Sequence, residues 1–164
     1  MRTRRRKIQR RTLKKDREFW PPKYYRGLTL KQKIQRKKEI EKGTRRHWKD
    51  PKAYTFFKTD KLGKSKPSNY TRRWKAIFPD ATSLEQKSKA SGVPLKYIRQ
   101  SYNRGMGAWR TGHRPFATEQ QWGYARVHSF LLCGKTHYST DSDLVRKAKA
   151  ESASARRWWK KQKC

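Results

Sequence analysis

Carboxylates are scarce in this chain: 12 Asp and Glu stand against 46 Lys and Arg in 164 residues, a formal net charge of +34 at pH 7. A compact domain carrying that excess repels itself by many kT, so it calls for a polyanionic partner: nucleic acid, an anionic membrane or an acidic protein surface. The same shortage counts against catalysis, which needs acids, bases and nucleophiles placed together. The only local candidates are Cys133 with His128 or His137, and Asp141 and Asp143 near His137. The two aspartates read more simply as helix-start residues, so no enzyme is expected and no catalytic residue is assigned.

Cysteine is nearly missing. Cys133 and Cys164 are the only two, and neither belongs to a CxxC pair. That spacing gives no zinc motif, so neither a metal ligand nor a cofactor is expected. Cys133 follows the apolar run Phe130-Leu131-Leu132 and reads as a small buried residue in a reducing compartment. Cys164 is left with an intermolecular disulfide as an open alternative. Long apolar runs are missing too: nothing approaches the roughly 18 to 20 residues of a membrane span. The start MRTRRRKIQRR lacks the apolar core of a secretion signal, and the expectation is a protein neither secreted nor membrane-spanning.

What the chain does have is aromatic residues, 13% with seven Trp and eight Tyr, beside only 32% hydrophobic residues overall. Highly charged disordered chains are poor in aromatics, so the composition argues for one small domain with an aromatic core and basic extensions. Residues 1–24 form the first extension. Arg2, Arg4, Arg5, Arg6, Lys7, Arg10 and Arg11 make it an electrostatic arm, or alternatively a nuclear address. Phe19-Trp20-Pro21-Pro22-Lys23-Tyr24-Tyr25 gathers four aromatics around a stiff diproline, and Phe19, Trp20, Tyr24 and Tyr25 are candidate partner-docking rings.

Residues 25–66 read as a surface helix and a loop. Thr29 and Gln32 have capping-box spacing and Gly43 is the expected stop. Residues 67–146 read as the helical core domain, opening with Tyr70, Trp74, Ile77 and Phe78 on one helix face that Pro79 closes. The expected core is Tyr70, Trp74, Ile77, Leu84, Val93, Ile98, Trp109, Trp122, Ala125 and Phe130. Further helices are expected from Thr118 to Leu132 and from Asp141 or Ser142 to Lys161. Residues 147–164 read as a basic C-terminal helix and tail. There Arg156 and Arg157 are candidate polyanion contacts, and Trp158 and Trp159 are a docking anchor or an amphipathic foot on a membrane interface.

Residues 83–98 have the layout of a helix-turn-helix, with Leu84, Ser88, Val93 and Ile98 at buried positions and Gly92 at the turn. On the second helix Lys96, Arg99, Gln100 and Asn103 recur at i, i+3, i+4 and i+7, the face a recognition helix offers to duplex DNA. A plain packing unit with a solvated face is the competing reading. Residues 103–127 form a glycine-rich cassette around Trp109. Tight turns at Gly105, Gly107 and Gly112 are expected, and Arg110, His113 and Arg114 are close enough to converge on one anion.

Gly92-Val93-Pro94, then Arg104-Gly105-Met106-Gly107-Ala108-Trp109-Arg110-Thr111-Gly112-His113-Arg114-Pro115, then the stretch from Gln121 to Phe130 and Gly134-Lys135-Thr136, resemble an uncharacterised domain family. That family is encoded by large DNA viruses of algae and by marine phages. The resemblance spans Tyr25 to Leu144 and implies a viral setting, with no activity and no site residues. With the arms and docking rings, it leads to the expectation of a mainly α, non-enzymatic structural virion protein. Such a protein is a minor capsid component, a cement or scaffold on the inner side of the shell, facing other capsid proteins, the genome or the inner-membrane surface. Its place would be the virion, and the cytoplasm or nucleus of the infected host. The alternative is a helix-turn-helix-like protein that binds or condenses viral DNA.

Overall fold

The computed structural model describes residues 22–164, so Arg2, Arg4, Arg5, Arg6, Lys7, Arg10, Arg11, Phe19 and Trp20 lie outside the described residues. The fold is mainly α, with no strand among the described residues. The helices are α1 (Leu30–Thr44), α2 (Lys52–Thr55), α3 (Asn69–Ile77), α4 (Leu84–Ser91), α5 (Leu95–Arg110), α6 (Glu119–Leu131), α7 (Lys135–Tyr138), α8 (Ser142–Glu151) and α9 (Ala153–Lys161), with 3-10 turns at Pro22–Tyr24 and Lys58–Leu62.

Helix starts follow local chemistry. Thr29, Ser83 and Thr118 each accept from the backbone N–H three residues on, while Gln32, Gln86 and Gln121 reach back to the cap N–H. Each such box satisfies two amide donors that a helix start leaves unpaired. Ser68 and Ser152 cap α3 and α9 with one bond each. Gly92 ends α4 at φ 68°, a left-handed conformation that glycine takes without penalty.

Two glycine expectations are corrected. Gly43 does not stop α1 but lies within it; a Cβ there would stand 2.8 Å from the Ala53 carbonyl oxygen. Gly105 and Gly107 make no tight turns either, since both are inside α5.

The chain forms two compact units. Of the described residues, the first holds 22–65 together with His113–Ala117, a stretch of the loop between α5 and α6. Tyr25, Ile40 and Phe57 are its small apolar core. Tyr25 is 7% exposed, so this expected docking ring packs inside its own unit instead.

The second unit holds Lys66–Gly112 and Thr118–Cys164. Trp74, Val93, Ile98, Val127, Phe130, Leu131, Leu144 and Trp159 are at most 1% exposed within it. Trp158 and Trp159 are therefore core residues, not exposed anchors. Trp158 Nε1 donates to the Leu131 carbonyl at 2.9 Å, and Trp159 sets its ring edge against Phe130 with centroids 5.5 Å apart. Burying an indole contributes several kcal/mol, which draws residues 147–164 into the core domain rather than leaving them as a tail. The expected last helix breaks at Ser152, whose extended backbone separates α8 from α9. Trp109, Trp122 and Ala125 are only half-buried and Ile77 is exposed, so the core lies deeper toward α9 than the sequence pattern placed it.

Candidate nucleic-acid interface

The turn between α4 and α5 is a compact hydrogen-bonded unit. Ser88 Oγ donates to the Val93 carbonyl at 2.7 Å and Ser91 Oγ donates to the Lys87 carbonyl at 2.7 Å. Val93 and Ile98 are fully buried beneath it. With Ile98 inward, helical periodicity turns Lys96, Arg99, Gln100 and Asn103 outward, and all four are exposed. Lys96 is paired to Glu151 at 2.6 Å and Arg99 to Glu85 at 2.8 Å, with every one of these side chains about half exposed. Such surface pairs contribute at most about 1 kcal/mol, so a phosphate can displace either carboxylate.

The C-terminal half of α5 is fixed by a buried acid. Asp141 is fully buried; it accepts from Ser101 Oγ at 2.9 Å, from Arg104 Nη1 at 3.2 Å and from Arg126 Nη2 at 2.7 Å. Arg104 also holds Asp143 at 2.7 and 2.8 Å. Its hydrogen bonds keep the Asp143 carboxyl well below the usual carboxylate range. The reading of these two aspartates as helix-start residues is thus incomplete: Asp141 flanks α8, but its side chain ties α5 and α6 to that start and makes no cap bond.

Arg110 falls in one unit, and His113 and Arg114 fall in the other. Arg110 is taken by Glu119 at 2.5 Å in the second unit, whereas His113 belongs to the first unit. There His113 Nε2 lies 3.0 Å from Asp60 Oδ2 and 2.9 Å from Arg36 Nη1. Arg36 is completely buried, donates to Asp60 Oδ1 at 2.6 Å, and spreads its guanidinium over Phe116 at 4.9 Å. Arg114 is half-buried in the same unit. On α9, Arg156 and Arg157 are exposed, and Arg156 Nη1 donates to the Lys149 carbonyl at 2.5 Å.

The sequence reading passed over a second candidate surface. In the first unit a cleft of about 290 Å³ is lined by Tyr24, Arg46, Trp48, Tyr54, Phe57 and His113, among others. Trp48 is 68% exposed, stacks on His47 and carries the Lys49 ammonium 5.1 Å from its ring. At the cleft wall the His113 side chain is 8% exposed, lies flat on Phe57 at 3.7 Å, and keeps a buried Nδ1 with no hydrogen-bond partner among the described residues. Exposed rings beside cations suit the stacking of an unpaired base. Tyr54, Phe56 and Phe57 lie close together in the sequence and offer a signal for this surface, but Trp48 stands apart from them.

Lys87 was also missed. It is 2% exposed, donates to the Ala81 and Thr82 carbonyls at 2.6 Å each, and sits 5.0 Å from the Tyr124 ring. Burial, followed by repulsion from Lys75, holds its ammonium down to about 8. This lysine is a structural tie inside the core, not a polyanion contact.

The family model described as "Family of unknown function (DUF5824)" matches residues 21–148. The chain belongs to this family. No curated protein and no solved structure matches the chain. The DUF5824 region takes in the α5 stripe, the Trp48 cleft and the Arg104–Asp141–Arg126 clamp, and ends before α9. No helix among the described residues is long and apolar enough to cross a membrane.

Proposed function

We propose that this DUF5824 chain is a non-enzymatic protein that binds duplex nucleic acid, as a genome-associated component of a virus particle. The observation that carries the binding is the stripe Lys96, Arg99, Gln100 and Asn103, exposed together on the helix that follows a buried turn. Arg and Lys address phosphates and guanine edges, and Gln and Asn address adenine. In the second unit five of the six acids, Glu85, Glu119, Asp141, Asp143 and Glu151, already hold cations, so most of its other basic side chains, the buried Lys87 apart, are left with few acids to answer them. The viral setting is supported by the resemblance carried by residues 92–136.

The test is binding of the full chain to duplexes of several sequences across a salt series. Affinity should fall steeply with salt and vary little with sequence. Changing Lys96, Arg99, Gln100 and Asn103 to Ala should weaken every duplex alike and shallow the log–log salt slope by about 2, one per lost phosphate contact. Unchanged affinity in that variant overturns the reading. A sequence preference that the variant abolishes would make α5 a base-reading helix.

A second reading, a minor capsid or cement component against acidic capsid proteins or an inner-membrane surface, is favoured by Trp48 and Tyr138, whose rings are 68% and 65% exposed. Fractionation of purified particles separates the two. A capsid component stays with emptied shells, and a genome component leaves with the DNA.

A further inference from the structure

The second unit folds its two cysteines and one histidine into a single cluster. Cys133, at φ 55° just past the end of α6, meets Cys164, which follows α9, and His137 of α7 joins them. The two sulfurs and a ring nitrogen of His137 all lie within 4.8 Å of one another. The cysteines are 31 residues apart in sequence, their Cα atoms are 6.1 Å apart, and they are joined as a disulfide. His137 is 4% exposed and its Nδ1 lies 3.1 Å from the Phe130 carbonyl oxygen. That carbonyl can only accept, so Nδ1 carries the proton and Nε2 is left with its lone pair. A histidine that ligates a metal is held in the same way, one ring N–H fixed by a carbonyl and the other nitrogen free to bind.

We propose that Cys133, Cys164 and His137 form a metal site for a thiophilic cation of the Zn²⁺ class, occupied when the cysteines are reduced and replaced by the disulfide when they are oxidised. Two thiolates and an imidazole are a donor set that Zn²⁺ takes readily, with a fourth position left to water. A cleft of about 430 Å³ lined by His137, Cys164, Ser142 and Lys149 opens beside the cluster and admits that water. The exchange balances. A thiol reductant supplies two electrons and two protons, opens the S–S bond to two thiols and leaves as its own disulfide; Zn²⁺ then displaces the two thiol protons. Both states pin Cys164, beyond the end of α9, to the corner between α6 and α7. The cysteine count and the missing CxxC pair argued against such a site because the three ligands come together only in the folded chain.

The test uses Co²⁺ as a spectroscopic stand-in, titrated anaerobically into the full chain after reduction and chelation. One equivalent should produce the visible bands of tetrahedral cobalt and a near-ultraviolet thiolate charge-transfer band, both erased by Zn²⁺. Cys133→Ser and Cys164→Ser should remove the charge-transfer spectrum. His137→Gln should weaken binding by more than the roughly 10- to 100-fold that losing an outer-shell partner costs. Cys164→His should still bind cobalt, with a weaker thiolate band, which guards against a serine variant that simply misfolds. The proposal is overturned if the reduced wild-type chain gives no stoichiometric spectrum, or if the spectrum survives in Cys164→Ser. It is also overturned if a millimolar thiol reductant fails to free both cysteines, because the pair is then a fixed disulfide.

Discussion

Gly105 and Gly123 meet backbone to backbone where α5 crosses α6: a Cβ built on Gly105 would stand 2.8 Å from the Gly123 Cα. Gly107, two residues on, has nothing within 4 Å of the same position. Both are interior to α5, where alanine is favoured over glycine by about 1 kcal/mol. Gly107→Ala should therefore stabilise the chain by about 0.5 to 1 kcal/mol. Gly105→Ala should destabilise it by about 1 to 2 kcal/mol, because overpacking a tight crossing costs more than the helix gains. Denaturant melts of the two variants check the pair, and equal effects would mean that the crossing is looser than the geometry shows.

Trp159→Ala should cost about 3 to 5 kcal/mol, since the ring is completely buried against Phe130 and His137. Trp109→Ala should cost markedly less, because that ring is only half-buried. The sequence pattern would rank the two the other way, with Trp109 in the core and Trp159 as an outer anchor. Thermal melts of both variants decide.

The helix starts were legible because a capping box is complete within four residues: Thr29 with Gln32, Ser83 with Gln86, Thr118 with Gln121. The α4–α5 turn was legible for the same reason, its glycine and buried Val93 and Ile98 lying within a few residues. What stayed hidden needs partners from far along the chain. Arg126 and Arg104 reach Asp141 from 15 and 37 residues away, and Arg36 finds His113 across 77. Trp158 looked like an anchor because its acceptor, the Leu131 carbonyl, lies 27 residues before it. In the candidate interface the stripe on α5 was readable from spacing alone, whereas the Trp48 cleft depends on a loop folding back on α1.

Asp141→Ala tests the hidden clamp. Arg126 is 13% exposed and would lose its ion-pair partner, while Ser101 would lose its acceptor. Removing one member of a buried ion pair costs about 3 to 5 kcal/mol, because the remaining charge is left uncompensated. Lys96→Ala, which breaks a pair between exposed groups, should change stability by under about 1 kcal/mol. A similar small loss for both would show that Asp141 is not holding the helices together.

His128 supplies a pH dependence with a defined sign. Burial, and then repulsion from Lys87 and Lys75, pushes its imidazole down to about 3 from an ordinary 6.5. Between those values the unfolded chain binds the proton and the folded chain does not, so stability falls as pH drops from about 6.5 toward 3. His137 shifts in the same direction and adds to the loss. In His128→Phe the fall in melting temperature between pH 7 and pH 4.5 should shrink without vanishing. A profile identical to wild type would place the acid sensitivity elsewhere.

Removing residues 153–164 should unfold the second unit, not trim a tail. The deletion takes away Ala155, Trp158 and Trp159, all at most 7% exposed, and with them the cover over Phe130 and Leu144. It also removes Ser154, whose hydroxyl donates at 2.6 Å to the carbonyl of Gly92 at the turn that aims α5. Loss of α9 would thus disturb the proposed interface through its support, apart from any charge it carries. Arg156→Ser with Arg157→Ser separates the two effects, because both side chains are exposed and the tryptophans remain. That double variant should melt like the wild type and bind duplex DNA somewhat more weakly, by the loss of up to about two phosphate contacts. The truncated chain should lose the cooperative melt of the second unit altogether. If instead it melts cooperatively near the wild-type temperature, α9 is an appendage, and the buried tryptophans are not what closes the core.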